Sequence, residues 1–101
     1  LERRALILDP ADNVASVIDR VEAGDTVIAR LGNETKAVVA LEDIPFGFKI
    51  ALANLEAGEA VIKYGEVIGK ASRPIARGAL VHVHNVEGNR GRGDLQKRAE
   101  E

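Results

Sequence analysis

Apolar residues run along this chain in short stretches that end on glycine-centred turns. One phrase, an apolar residue, two others, glycine, two others and an apolar residue, occupies residues 21–27, 44–50, 55–61 and 75–81, around Gly24, Gly47, Gly58 and Gly78. A further copy around Gly65, residues 62–68, follows directly on the third. Glycine reaches backbone conformations that other residues adopt only with strain, and the β-branched residues behind it start an extended run. The pattern predicts a small, mainly β protein of short, tightly turned strands.

Residues 4–8 read as a first strand, closed by Asp9-Pro10. Residues 12–18 admit two readings. Val14, Val17, Ile18 and Val21 fall at helical spacing, with Asp12 or Asn13 as an N-cap and Gly24 as a stop. Alternatively residues 14–17 form a strand, followed by one helical turn at 18–21; the β-branched residues and the glycine phrase behind them favour this. Residues 26–31 and 36–40 read as strands around a Gly32-Asn33 hairpin turn. Pro45 stops further extension because it brings no ladder donor. Short strands are predicted at 49–52, 60–64 and 67–72. Residues 80–86 alternate, with Leu80, His82, His84 and Val86 on one face and Val81, Val83 and Asn85 on the other. From Glu87 the chain turns polar and glycine-rich. A domain over 1–86 is therefore expected, with 87–101 as a polar tail or linker whose Arg90 and Arg92 suit acidic groups on a partner.

The 101 residues suit one domain. There is no cysteine, which excludes disulfides, thiolate nucleophiles and thiolate metal sites and fits a cytoplasmic protein. Phe46, Phe48 and Tyr64 are the only aromatic residues, so the core is aliphatic and base-stacking surfaces are not expected. The formal net charge of −2, and the acidic residues interspersed with Arg90–Arg98, argue against a nucleic-acid partner. No apolar stretch approaches the roughly 20 residues of a membrane helix, and the start lacks a signal-peptide layout.

His82-Val83-His84 carries the clearest chemistry. In a strand, residues i and i+2 share a face, so both imidazoles can converge on one metal or substrate, with a third ligand from elsewhere. The competing reading is two half-exposed strand histidines that bind nothing. Tyr64 is the one phenol available as a proton or hydrogen-bond donor, against a plain strand-end tyrosine. Lys49 can grip a carboxylate, against an ordinary solvated lysine. Asp12-Asn13 reads first as a cap or turn. No nucleophile constellation and no phosphate loop is present, so any chemistry is expected to need a partner.

The strings Asp43-Ile-Pro-Phe-Gly-Phe-Lys-Ile-Ala-Leu52, Glu56-Ala-Gly-Glu59, Ile62-Lys-Tyr-Gly-Glu-Val-Ile-Gly69 and Val81-His-Val-His-Asn85 resemble the SAF domain of the altronate/galactarate dehydratase family. Asp12-Asn-Val-Ala15 and Arg90-Gly-Arg-Gly-Asp94 look like that family too. The resemblance implies a β-clip fold of short strands and hairpins with at most one or two helical turns. It implies the small subunit of a two-part sugar-acid dehydratase, inactive alone, whose site is completed by a large catalytic subunit. It further implies a divalent metal, iron(II) or manganese, in the assembled enzyme. His82 and His84 are then the implied metal ligands, Tyr64 and His84 the implied catalytic groups, and Lys49, Asn13 and Asn85 the implied substrate contacts. Self-association of the isolated chain is a further expectation. A sister branch, the sulfolactate sulfo-lyases, shares the two-part architecture, and SAF-like folds also serve as non-catalytic sugar-binding or assembly modules. One position departs from the family: where its pattern reads Gly-His-Lys, this chain has Gly47-Phe48-Lys49.

Overall fold

A computed structural model of the chain describes residues 2–88. They form β1 (Glu2–Leu6), β2 (Val14–Val17), β3 (Thr26–Leu31), β4 (Glu34–Val39), β5 (Lys49–Ala51), β6 (Ala60–Lys63), β7 (Glu66–Ala71), β8 (Leu80–Val81) and β9 (Val86–Gly88), with no helix among the described residues. One sheet has the order β4-β3-β1-β2-β5-β8 and the other β6-β7-β9. β1 runs parallel to β3, and the remaining strand pairs are antiparallel.

The ambiguous segment at 12–18 is a strand. β2 lies between β1 and β5, where Val14, Ala15 and Val17 are all buried, an arrangement that hydrogen-bonds both edges and that a helix cannot provide. The helical turn expected at 18–21 is absent: the chain bends, and Val21 forms a bridge with Ile44.

The repeated glycine phrase reflects an internal structural repeat. Val21 and Ile44 exchange backbone hydrogen bonds of 3.1 and 2.9 Å, and Leu55 and Ile75 do the same at 2.8 Å each. The first brace closes the β3–β4 hairpin and the second the β6–β7 hairpin. The Gly24 N–H donates to Ala40 O at 2.8 Å, and its counterpart, the Gly58 N–H, to Ala71 O at 2.7 Å. The Gly47 N–H reaches Val17 O and the Gly78 N–H reaches Ala51 O, each at 2.9 Å. These four glycines have φ between 86° and 92°, which is why the phrase requires glycine. Each half carries its own apolar cluster, one around Val17, Val27, Ile44 and Ile50 and the other around Leu55, Val61, Ile75 and Val81. Burying each such side chain contributes about 1.5–3 kcal/mol.

The copy at Gly65 is different. Tyr64 and Gly65 form the two-residue turn between β6 and β7, with φ of 59° and 72°, the conformation of a tight hairpin turn. Tyr64, expected at the end of a strand, therefore stands exposed at a turn tip. The larger correction concerns residues 80–86. β8 ends at Val81, residues 82–85 make a turn, and β9 begins at Val86. The alternation was there in the residues, but a buried asparagine overrides it, as shown below. β9 pairs with β7 through Gly88, so the boundary expected after residue 86 falls inside a strand; residues 89–101 lie outside the described residues.

Candidate functional site

β5 and β8 lie side by side, with Lys49 opposite Val81, so the residue after Val81 emerges next to Lys49. That residue is His82. Both line a cleft of about 230 Å³, whose remaining walls are Ile68 of β7, Val83 of the turn, and Val86 and Gly88 of β9. The cleft lies between the two sheets and joins an ammonium and an imidazole to aliphatic walls. The ring of Phe48 lies 4.6 Å from the His82 ring at an interplanar angle of 45°, and Phe48 itself packs on the first apolar cluster. Partial burial pulls the Lys49 ammonium below the ordinary lysine range, and the nearby Lys63 ammonium pushes it the same way. The ion pairs found among the described residues, Arg3–Asp25 and Arg4–Asp19, do not involve Lys49.

The turn that aims His82 is built by Asn85, which is only 5% exposed. Its side-chain oxygen accepts the His82 N–H at 2.9 Å, and its amide nitrogen donates to Leu80 O at 2.9 Å. Its backbone N–H donates to His82 O at 3.0 Å, and its carbonyl accepts the Ser72 N–H at 2.9 Å. These bonds bend the chain directly after β8. His84 is exposed, absent from the cleft walls, and its carbonyl accepts a hydrogen bond from Arg73 at 2.6 Å.

Asn13 is committed in a similar way. Its oxygen accepts the Ile62 N–H at 2.8 Å and its amide donates to Ala60 O at 2.9 Å, tying β6 to the start of β2. Tyr64 is exposed, outside the cleft walls, with the Lys63 ammonium 4.9 Å from its ring centroid. Of the residues singled out from the sequence, the fold thus brings Lys49 and His82 together, spends the amides of Asn13 and Asn85 on backbone, and leaves Tyr64 and His84 exposed outside the cleft. The aliphatic walls and Phe48's contact with His82 carried no signal in the sequence, because they join elements far apart along the chain.

Among the described residues no group of three or more histidine, aspartate or glutamate side chains is placed to hold a metal ion. The donor set of the described residues therefore does not by itself fit a resident divalent cation. A wider cleft of about 420 Å³ lies at Arg20, Val21, Asp43, Ile44, Pro45 and Phe46. Its one carboxylate, Asp43, already accepts the Ala23 N–H at 2.9 Å, and it holds no imidazole, so the smaller cleft has the better chemistry.

The residues that line the cleft all lie within a stretch that matches a known family. Residues 3–89 match the sequence profile of the altronate/galactarate dehydratase SAF domain. The chain is 35% identical over 78 residues to altronate dehydratase of Bacillus subtilis, covering 77% of this chain but 15% of that protein. It is 40% identical over 78 residues to altronate dehydratase of Escherichia coli, again 77% of this chain and 15% of that protein. With (2R)-sulfolactate sulfo-lyase subunit alpha of Chromohalobacter salexigens it shares 33% identity over 88 residues, covering 83% of this chain and 94% of that subunit. In the dehydratases the matching region is a small part of the whole protein, and in the sulfo-lyase it is nearly a whole subunit. By this match over residues 3–89, the chain belongs to the altronate/galactarate dehydratase SAF domain family.

Proposed function

We propose that this chain is the SAF component of a lyase that removes water from a sugar acid of the altronate or galactarate type, in the cytoplasm, with a larger catalytic part completing the site. The observation that supports this reading is the cleft in which Lys49 and His82 converge. Lys49, positive and without an ion-pair partner among the described residues, anchors the substrate carboxylate. His82 is the one imidazole in the cleft wall and holds or takes a proton beside that carboxylate. The aliphatic walls exclude water from the carbon skeleton and strengthen both contacts. Tyr64 and His84 reach a substrate only if an added part brings it to the surface on which they stand. A divalent metal, iron(II) or manganese, would supply Lewis-acid assistance to the departing hydroxide in the assembled enzyme.

The test is coexpression of this chain with the larger part and assay of the purified complex for dehydration of altronate and galactarate. Turnover by the complex, and by neither part alone, supports the reading; a folded complex without turnover of any such acid overturns it. The near-complete coverage of the sulfo-lyase subunit favours one second reading, elimination of sulfite from sulfolactate. Sulfite release by the same complex distinguishes the two.

A further inference from the structure

We infer that the Lys49–His82 cleft is an organic-anion half-site, and that a divalent cation of the assembled enzyme takes its ligands from outside residues 2–88. The inference rests on the lyase reading above and divides the labour within it. Residues 2–88 grip the acid, and groups outside them hold the metal.

Four observations carry it. First, two histidines separated by one residue converge on an ion when the backbone is extended. Here the Asn85 latch bends the chain between Leu80 and Asn85, so His82 lines the cleft while His84 is exposed and outside it. Because Asn85 is buried and bonded through both ends of its amide, the turn is a fixed feature. Second, the neighbour against the His82 ring, at 4.6 Å, is the apolar ring of Phe48, which offers no metal donor. Third, the polar side chain that shares the cleft wall with His82 is an ammonium, and Lys63 adds a second positive charge to its surroundings. Such a field attracts an oxyanion and repels a cation. Fourth, the buried carboxylate among the described residues is spent on structure: Asp12 accepts backbone N–H groups of Leu8, Tyr64 and Gly65. The ligand class that suits the cleft is a small organic acid. Its carboxylate or sulfonate lies at Lys49, its hydroxyl-bearing carbon beside His82, and its chain against Ile68, Val83 and Val86.

Manganese(II) chloride and malate, added separately to the untagged chain, test both halves by NMR of the histidine ring protons. Manganese is expected to broaden His82 and His84 independently and only in the millimolar range, with His84→Ala leaving the His82 response unchanged. Joint, saturable broadening of both rings at micromolar manganese, abolished in His84→Ala, overturns the inference. Malate is expected to shift the His82 signals, and Lys49→Met to weaken that binding about tenfold, the cost of one charge-assisted contact. No shift up to the solubility of the salt, or equal binding by Lys49→Met, also overturns it. Joint chelation by the two histidines would leave the lyase reading standing, whereas a complex that turns over no acid would refute that reading without touching the manganese result.

Discussion

The carboxylate of Asp12 receives the backbone N–H of Gly65 at 2.8 Å, across 53 residues of sequence. The Tyr64 N–H, at 3.2 Å, and the Leu8 N–H, at 3.2 Å, reach the other oxygen of the same group. One buried side chain thus ties the β6–β7 turn to the end of β1. Hydrogen bonds to a charged acceptor are worth about 1.5–3 kcal/mol each but are not additive within one group. Asp12→Ala is expected to cost about 3 kcal/mol in urea unfolding, and Asp12→Asn, which keeps one acceptor oxygen, about half as much. An unchanged midpoint for Asp12→Ala would mean that the turn is held by other contacts.

Gly69 is required by space. A Cβ there would lie 2.3 Å from the carbonyl oxygen of Glu87 and 2.9 Å from Cγ1 of Val86, so any side chain pushes β9 away from β7. Gly69→Ala is expected to cost about 2–3 kcal/mol, in the range of overpacking. Val86 and Gly88, both cleft walls, should move with β9. Gly58 has open space around its Cβ position but a φ of +90°, so Gly58→Ala should cost only about 1 kcal/mol of backbone strain. Hydrogen exchange separates the two: amides of β9 should exchange faster in Gly69→Ala and remain protected in Gly58→Ala.

These two sites also show what the residues reveal before any fold is known. The glycine phrase, the β-branched runs and Pro45 act over a few positions, so the strands and turns of both halves were legible with boundaries displaced by one or two residues. The pairing of Val21 with Ile44 and of Leu55 with Ile75, which makes the phrase a repeat, was not, because bridges join positions far apart in sequence. The alternation of Leu80, His82, His84 and Val86 is genuine in the sequence yet absent from the fold. Asn85 gains three hydrogen bonds by bending the chain, two through its side-chain amide and one from its backbone N–H to His82 O, and an extended strand would forgo them. Asparagine's preference for turns was the available signal. Within the site, Lys49 and His82 were legible as chemical types. Their convergence follows from the β5–β8 pairing, which a sequence does not display.

The acid limb of the stability profile should bear the mark of one surface pair. Arg4 binds Asp19 through Nε at 3.0 Å, through Nη2 at 2.9 Å and through its backbone N–H at 2.9 Å. These bonds, the side-chain hydrogen bond from Arg4 foremost, lower the Asp19 carboxyl to about 2. A folded-state value below the unfolded one means that the pair stabilises fully above the ordinary aspartate range, near ~3.9, and that the contribution is lost as pH falls toward about 2. Asp19→Asn should therefore flatten the fall in melting temperature between about pH 4 and pH 2, and high salt should flatten the wild-type profile in part, since the pair is exposed to solvent. Parallel profiles for the two proteins would exclude the pair as a source of acid sensitivity.

Lys49 shifts in the same direction, but here the charged form is the destabilised one, and the residue connects stability to function. Burial, reinforced by Lys63, disfavours its charged form in the folded state, so its folded pKa lies below the unfolded one. Between those two values the unfolded chain binds more protons, and stability rises as pH climbs into the lysine range. Below both values the charge is present in both states and the folded protein carries the full penalty. Lys49→Met keeps the length of the side chain and removes the charge. It is expected to raise stability at neutral pH by about 0.5 kcal/mol, a small gain because the group is still partly solvated, and to abolish the alkaline rise. If Lys49 anchors the substrate carboxylate, the same variant should raise KM of the assembled enzyme about tenfold or more, the cost of losing a charge-assisted contact. A variant that is more stable and binds acid less well marks Lys49 as a residue placed for its ligand at the expense of the fold. A variant that is more stable with KM unchanged would move the carboxylate anchor to another residue.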